Sequence, residues 1–249
     1  MSLKLTRIPF CILLSVALFV QATLTFAQKA KEQEHWMVYY YLNPQPDQTP
    51  KIILEMSRKR VFDMENAQPP IIAFFSRIFA QNPNKLRSWF IELDRLPENH
   101  KRALWLALWY ADTPEAVEQL RLAAEKSAPS DKDQLTKLLQ SHPPALTDIE
   151  IDAPGVLDML WGAFMATGDE RYVIRIMSAL PWINEKQDLT KALLGGVARW
   201  SMASNSVQHE KVLQICKEQV NKQPQEVSQV LNGIIKEAEA EKRKGKSSK

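Results

Sequence analysis

The side chains best suited to chemistry in this 249-residue chain are scattered singly. His35, His100, His142 and His209 stand far apart, so none forms the i, i+4 pair with which a helix grips zinc. No serine sits in a G-x-S-x-G turn, and Cys216 has no neighbouring motif that would make it a nucleophile. It shares a helical face with Val212 and Val220 instead, the pattern of a buried thiol. Asp148, Glu150 and Asp152 alternate, but they lack the glycine and the later glutamate of an EF-type calcium loop. They read as a solvated acidic stretch. Distant carboxylates such as Glu92 and Asp112 could be brought together for acid–base chemistry, although nothing selects that pair over others. No catalytic residue, metal ligand or cofactor is therefore expected.

One segment does concentrate the chemistry of binding. His35-Trp36-Met37-Val38-Tyr39-Tyr40-Tyr41-Leu42 places four aromatics within six residues. On a helix these cannot all face one way, and Trp and Tyr are over-used at binding surfaces. Trp36, Tyr39, Tyr40 and Tyr41 are thus the candidate binding residues. The competing expectation is a capping helix, laid over the first hairpin, that buries most of them. Trp105 and Trp109, four apart in a stretch that is apolar all round, mark a buried central helix.

The elements that must position these residues are helical. Glycine is scarce: there are seven, and the first is Gly155. Strand-rich folds need turn glycines, and phosphate-binding loops need them in clusters. Helix starts are written as a polar residue followed by proline, at Thr49-Pro50, Gln68-Pro69-Pro70, Thr113-Pro114 and Asp152-Ala153-Pro154. Ser130, with Asp133 three residues on, resembles a capping box. Breakers at Asn82-Pro83-Asn84, Leu96-Pro97-Glu98-Asn99 and Thr167-Gly168-Asp169 recur at about 12–20 residues, the spacing of helices joined by tight turns. About ten helices are predicted on that spacing. The fold class is all-α: stacked antiparallel helical hairpins, as an α-solenoid or an irregular helical bundle.

Two halves look alike. Pro69-Pro70-Ile71-Ile72 through Phe79 can be laid over Pro154-Gly155-Val156-Leu157 through Phe164. An amphipathic helix follows each, marked by Leu86, Trp89, Phe90 and Leu93 or by Tyr172, Val173, Ile176 and Leu180. A further apolar helix then comes at Ala103–Trp109 or Ala192–Val197. The stretch Leu160-Trp161-Gly162-Ala163-Phe164-Met165-Ala166-Thr167-Gly168-Asp169, through Ala179-Leu180, resembles a tetratricopeptide-type hairpin in its Gly-Asp turn and closing Ala-Leu. The resemblance covers residues 160–180. The spacing from Gly162 to Gly168 is one residue off that pattern, and Val173-Ile174 replace its usual small residue. It implies a stacked helical scaffold that binds peptides or partner proteins.

The chain begins like an exported protein. Lys4 and Arg7 precede an apolar stretch from Ile8 to Val20, and Thr25-Phe26-Ala27 ends a run suited to signal cleavage. Residues 1–27 are read as a cleaved signal peptide, so a periplasmic or secreted location is expected, with no integral membrane span after cleavage. Taking Lys4 and Arg7 away leaves 30 basic residues against 29 acidic, a net of +1. Most of the basic excess lies in 241–249, read as a disordered basic tail. The body, 28–240, is then about −3, no footprint for nucleic acid. An N-terminal helical half, 28–141, and a C-terminal half, 153–240, flank a proline- and acid-bearing connector at 142–152. The expected function is a non-enzymatic protein or peptide interaction module. A hydrolase acting on an envelope or secreted substrate and a secreted host-interaction factor are the alternatives.

Overall fold

A computed structural model describes residues 36–247; the signal peptide read over 1–27 lies outside the described residues. Eleven α-helices run from Thr49 to Ser247, with no strand among the described residues. The all-α expectation holds. The helices of the first half are α1 (Thr49–Arg58), α2 (Gln68–Gln81), α3 (Leu86–Leu93), α4 (Glu98–Ala111), α5 (Pro114–Lys126) and α6 (Pro129–Leu139). Those of the second are α7 (Pro154–Thr167), α8 (Glu170–Met177), α9 (Leu189–Gln208), α10 (Glu210–Gln219) and α11 (Gln225–Ser247). Short 3-10 turns, including Leu180–Asn184, fill several connections.

Helix ends follow local chemistry. Thr113 Oγ1 accepts from the Ala116 N–H at 3.2 Å and caps α5. Asp188 Oδ1 does the same for α9 through Lys191 N–H at 3.0 Å, each satisfying a donor that the first turn leaves open. The expected Ser130–Asp133 box does not form. Pro129 starts α6 one residue earlier, from an extended Ala128 with no side-chain cap, so Ser130 lies already inside the first turn. Gly168, at φ +66°, closes α7 in the left-handed region that a side chain resists.

Two apolar cores result. Ile53, Phe62, Phe74, Phe75, Phe79, Leu104 and Leu108 lie in the first, among α1–α6. Leu160, Phe164, Val173, Met177, Leu194, Met202, Val212, Leu231 and Ile234 lie in the second, among α7–α11. They meet where α2 packs on α7, the two segments whose sequences align. Small residues allow that approach: Ala73 of α2 joins the second core, and Ala166 of α7 joins the first. A Cβ on Gly162 would come within 3.0 Å of three backbone atoms of Pro70. The similarity of the halves stops there. α4 packs on α2, whereas its counterpart α9 packs chiefly on the Leu180–Asn184 turn and α11, because Gly195 lets the turn's backbone lie against it.

Two segments differ from expectation. The 142–152 connector is more than a solvated linker: Leu146 and Ile151 are buried in the second core, and Arg175 donates to the Ile149 carbonyl at 2.9 Å. Its acids, Asp148, Glu150 and Asp152, stay exposed. The tail is not disordered up to Ser247, because α11 continues through it. Glu-Ala-Glu-Lys-Arg-Lys is rich in helix formers, and Lys242–Glu210 at 2.7 Å and Arg243–Glu239 at 4.0 Å add ion pairs along it.

Candidate functional site

An apolar-floored cleft of about 590 Å³ opens between α3, α4 and α5. Phe90 and Leu93 enter it from α3, Leu104 and Trp105 from α4, and Leu122 and Ala123 from α5. Trp105 is buried, as the sequence predicts, and forms part of the floor. Ile91 stands beside the cleft 72 % exposed, one residue out of phase with the buried face of α3. The rim is charged. Lys101 is held by Glu98 at 2.9 Å and Asp94 at 3.8 Å. Arg87 and Lys126 also line the cleft and have no ion pair among the described residues. An apolar floor beneath two uncommitted cations suits an apolar segment carrying a carboxylate. Sequence reading missed this site. Its one available signal was Ile91, an apolar residue on the polar side of α3.

The aromatic cluster at the N-terminus turns inward. Tyr40 is 2 % exposed, its ring edge-on to Phe74 of α2 at 5.5 Å and to Trp36 at 4.9 Å. Trp36 also meets Phe74, at 5.7 Å. Tyr41 faces the other way, onto Phe164 of α7 at 5.1 Å, and Tyr39 lies against His209 at 4.9 Å. The segment therefore straps the two halves together. Burial pushes the Tyr40 hydroxyl up to about 12, with the Asp47 charge adding to it. Trp36, Tyr39 and Tyr41 are half-buried. The structure brings all four candidates together at the α2–α7 junction, where Tyr40 alone is fully buried and the segment packs across both halves rather than over the first hairpin.

Two buried histidines have partners of different kinds. His100 sits between α1 and the loop after it: Nδ1 meets Ser57 Oγ at 2.8 Å, and Nε2 meets Asp63 Oδ1 at 3.0 Å. A Ser–His–Asp chain of this kind can activate a serine. Ser57 is only 8 % exposed, however, and none of the three described clefts includes it. The same contacts anchor the loop to α4. The Arg60 guanidinium at 2.7 Å, and then His100, hold Asp63 below the usual carboxylate range. His209 meets the Tyr41 hydroxyl through Nδ1 at 3.2 Å, and its Nε2 is buried without a partner. Burial first, and Lys242 second, push its pKa down to about 4.

The remaining candidates are separate. Cys216 is fully buried, and burial raises its thiol to about 11, which makes it inert. Glu92 and Asp112 line different clefts and do not form a pair. Asp158 is raised by burial but lines none of the described clefts. Among the described residues, no group of three His, Cys, Asp or Glu side chains is arranged to hold a metal, and no helix is long and apolar enough to cross a membrane. The chain matches no protein family model, no curated protein and no solved structure.

Proposed function

We propose that this is an exported, non-enzymatic interaction module that holds a short peptide segment of a partner protein in the cleft between α3, α4 and α5. The observation that carries the reading is the cleft itself: Trp105, Leu104 and Phe90 form its floor, while Arg87 and Lys126 stand uncommitted around it. A floor already packed and a rim already charged need little rearrangement on binding. The segment it suits presents apolar side chains with an Asp, a Glu or a chain-terminal carboxylate beside them. The tetratricopeptide-like hairpin at 160–180 is a different part of the chain and adds only a general likeness to peptide-binding scaffolds. The expected setting is the periplasm or the secreted fraction, from the signal read over 1–27.

Selection from a random peptide display library tests this reading. Acidic–apolar peptides with micromolar dissociation constants are expected. Ile91→Asp and Arg87→Glu, both at exposed positions, weaken them at least tenfold without changing the melting temperature. Selected peptides that bind both variants as well as the parent overturn the cleft. The hydrolase alternative rests on the Ser57–His100–Asp63 chain, and covalent labelling of Ser57 by a fluorophosphonate would establish it in place of the binding reading.

A further inference from the structure

α9 carries an apolar seam whose large members, Leu189, Leu193 and Trp200, none of the described residues covers, while Ala203 at its C-terminal end is partly packed on the second core. Leu189, Leu193, Gly196, Trp200, Ala203 and Val207 follow one another at steps of four, three, four, three and four residues. That is the repeat of a helix seam made for another helix. Leu189 is 82 % exposed, Leu193 60 % and Trp200 71 %. Gly196 is an open notch, since a Cβ there would meet no atom within 4 Å. Exposed apolar residues scattered singly need no explanation, whereas a contiguous row of them marks an interaction face.

The order of the row identifies the occupant. The steps are the same in both directions, so two copies of α9 laid antiparallel bring the seam onto itself about the level of residue 198. In that register Trp200 faces Gly196 of the second copy, Leu193 faces Ala203, and Leu189 faces Val207. Each larger side chain meets a smaller one. Ala198, on the opposite side of the helix, is buried in the molecule's own core, so the axis passes through the free face. Lys191 and Arg199 are the only charged residues in α9; both lie off the seam, and Arg199 is paired with Glu237 at 2.5 Å. The seam can therefore close without burying a charge.

The exposed apolar area makes up about half of what a stable interface buries on each side. The 20 residues of α9 make a seam about 30 Å long. Leu189, Leu193 and Trp200 contribute on the order of 400 Å² of apolar surface, about half of the ~800 Å² that each partner buries in a stable interface. Ile183, in the turn packed against α9, is a further exposed apolar residue, and Trp182 beside it is partly exposed. We infer that the protein is a two-fold dimer of identical chains, joined by antiparallel packing of α9 on α9 with Trp200 seated over Gly196 of the second copy.

Sedimentation equilibrium on the protein produced from the whole sequence tests this. A dimer is expected at micromolar concentration. Trp200→Ala and Gly196→Leu each weaken it by about thirtyfold or more, with circular dichroism and melting temperature at low concentration unchanged or raised. Gly196→Leu is the sharper variant, because its side chain meets none of the described residues and stands where Trp200 of a second copy would sit. A parent protein that stays monomeric at 100-fold higher concentration overturns the inference, as does a dimer that both substitutions leave intact. Peptide binding in the α3–α5 cleft is read separately and moves with neither result.

Discussion

The hydroxyl of Tyr41 meets Nδ1 of His209 at 3.2 Å, closing a contact across 168 residues of chain. With Trp36 and Tyr40 on Phe74 and Tyr41 on Phe164, this contact makes the N-terminal segment a clasp over the α2–α7 junction. His209 is held neutral there by burial, which lowers its pKa from 6.5 to about 4. Lys242, itself paired with Glu210 at 2.7 Å, adds to that lowering, and Lys211 stands over the Tyr41 ring at 5.8 Å.

Acid should therefore open the clasp. The unfolded chain takes up the histidine proton near pH 6.5 and the folded chain only near pH 4. Stability from this group is complete above pH 6.5 and is lost as pH falls towards 4, by roughly 2 kcal/mol at pH 4.5. Asp63 and Asp169, whose pKa values are lowered, also lose stability as pH falls, so the informative quantity is the difference between parent and His209→Gln. Urea unfolding at pH 7.5 and 4.5 is expected to give a steeper acid loss for the parent. Parallel losses in both would remove His209 from the account.

Glycines of opposite surroundings give a second test. A Cβ on Gly195 would press within 3.0 Å of the backbone of Trp182 and Ile183, whereas one on Gly233 in α11 would meet nothing within 4 Å. Gly195→Ala is expected to destabilise by about 2 kcal/mol or more through forced backbone movement. Gly233→Ala should stabilise by roughly 0.5–1 kcal/mol through helix propensity alone. Chemical denaturation reads both, and equal effects would contradict the packing of α9 on the Leu180–Asn184 turn.

Much of the fold was legible because helix boundaries are local. The polar-proline starts at Gln68-Pro69 and Thr113-Pro114, and the stop at Gly168, depend on a few neighbouring residues. Cys216 was equally legible, since its burial follows from the phase of Val212 on the same helix. The cleft was not. Its members come from three helices, and Trp105 shows the same apolar neighbourhood in sequence whether it fills a core or floors a cleft. The aromatic cluster was legible in part. Burial was among its expectations and holds for Tyr40, whereas its place between α2 and α7 is set by helices from distant parts of the chain.

Arg102 and Asp131 tie α4 to α6, with both the Nε and Nη2 donors of Arg102 on Oδ1, at 2.9 and 2.8 Å. Asp131 is buried, while Arg102 keeps half of its side chain in solvent. Removing the arginine leaves a buried carboxylate without its partner, so Arg102→Met is expected to cost about 2 kcal/mol. The double variant with Asp131→Leu should be less damaged than the sum of the single changes, because both unmatched groups are gone. Additive losses in a double-mutant cycle would mean that the pair contributes nothing beyond its separate side chains.

His100 separates anchoring from chemistry. If it holds the loop after α1 in place, His100→Ala loses the contacts to Ser57 and Asp63 together and should cost about 3 kcal/mol. Ser57→Ala loses a single buried hydrogen bond and should cost about 1 kcal/mol. Asp63 adds a reading that stability alone does not supply. Its pKa is lowered first by Arg60 and only then by His100. Arg60→Ala should therefore raise the Asp63 titration midpoint, followed by carboxyl carbon NMR, further than His100→Gln does. The reverse order would make the histidine the dominant partner of the carboxylate, as an activating relay requires, and would turn attention back to Ser57 as a nucleophile.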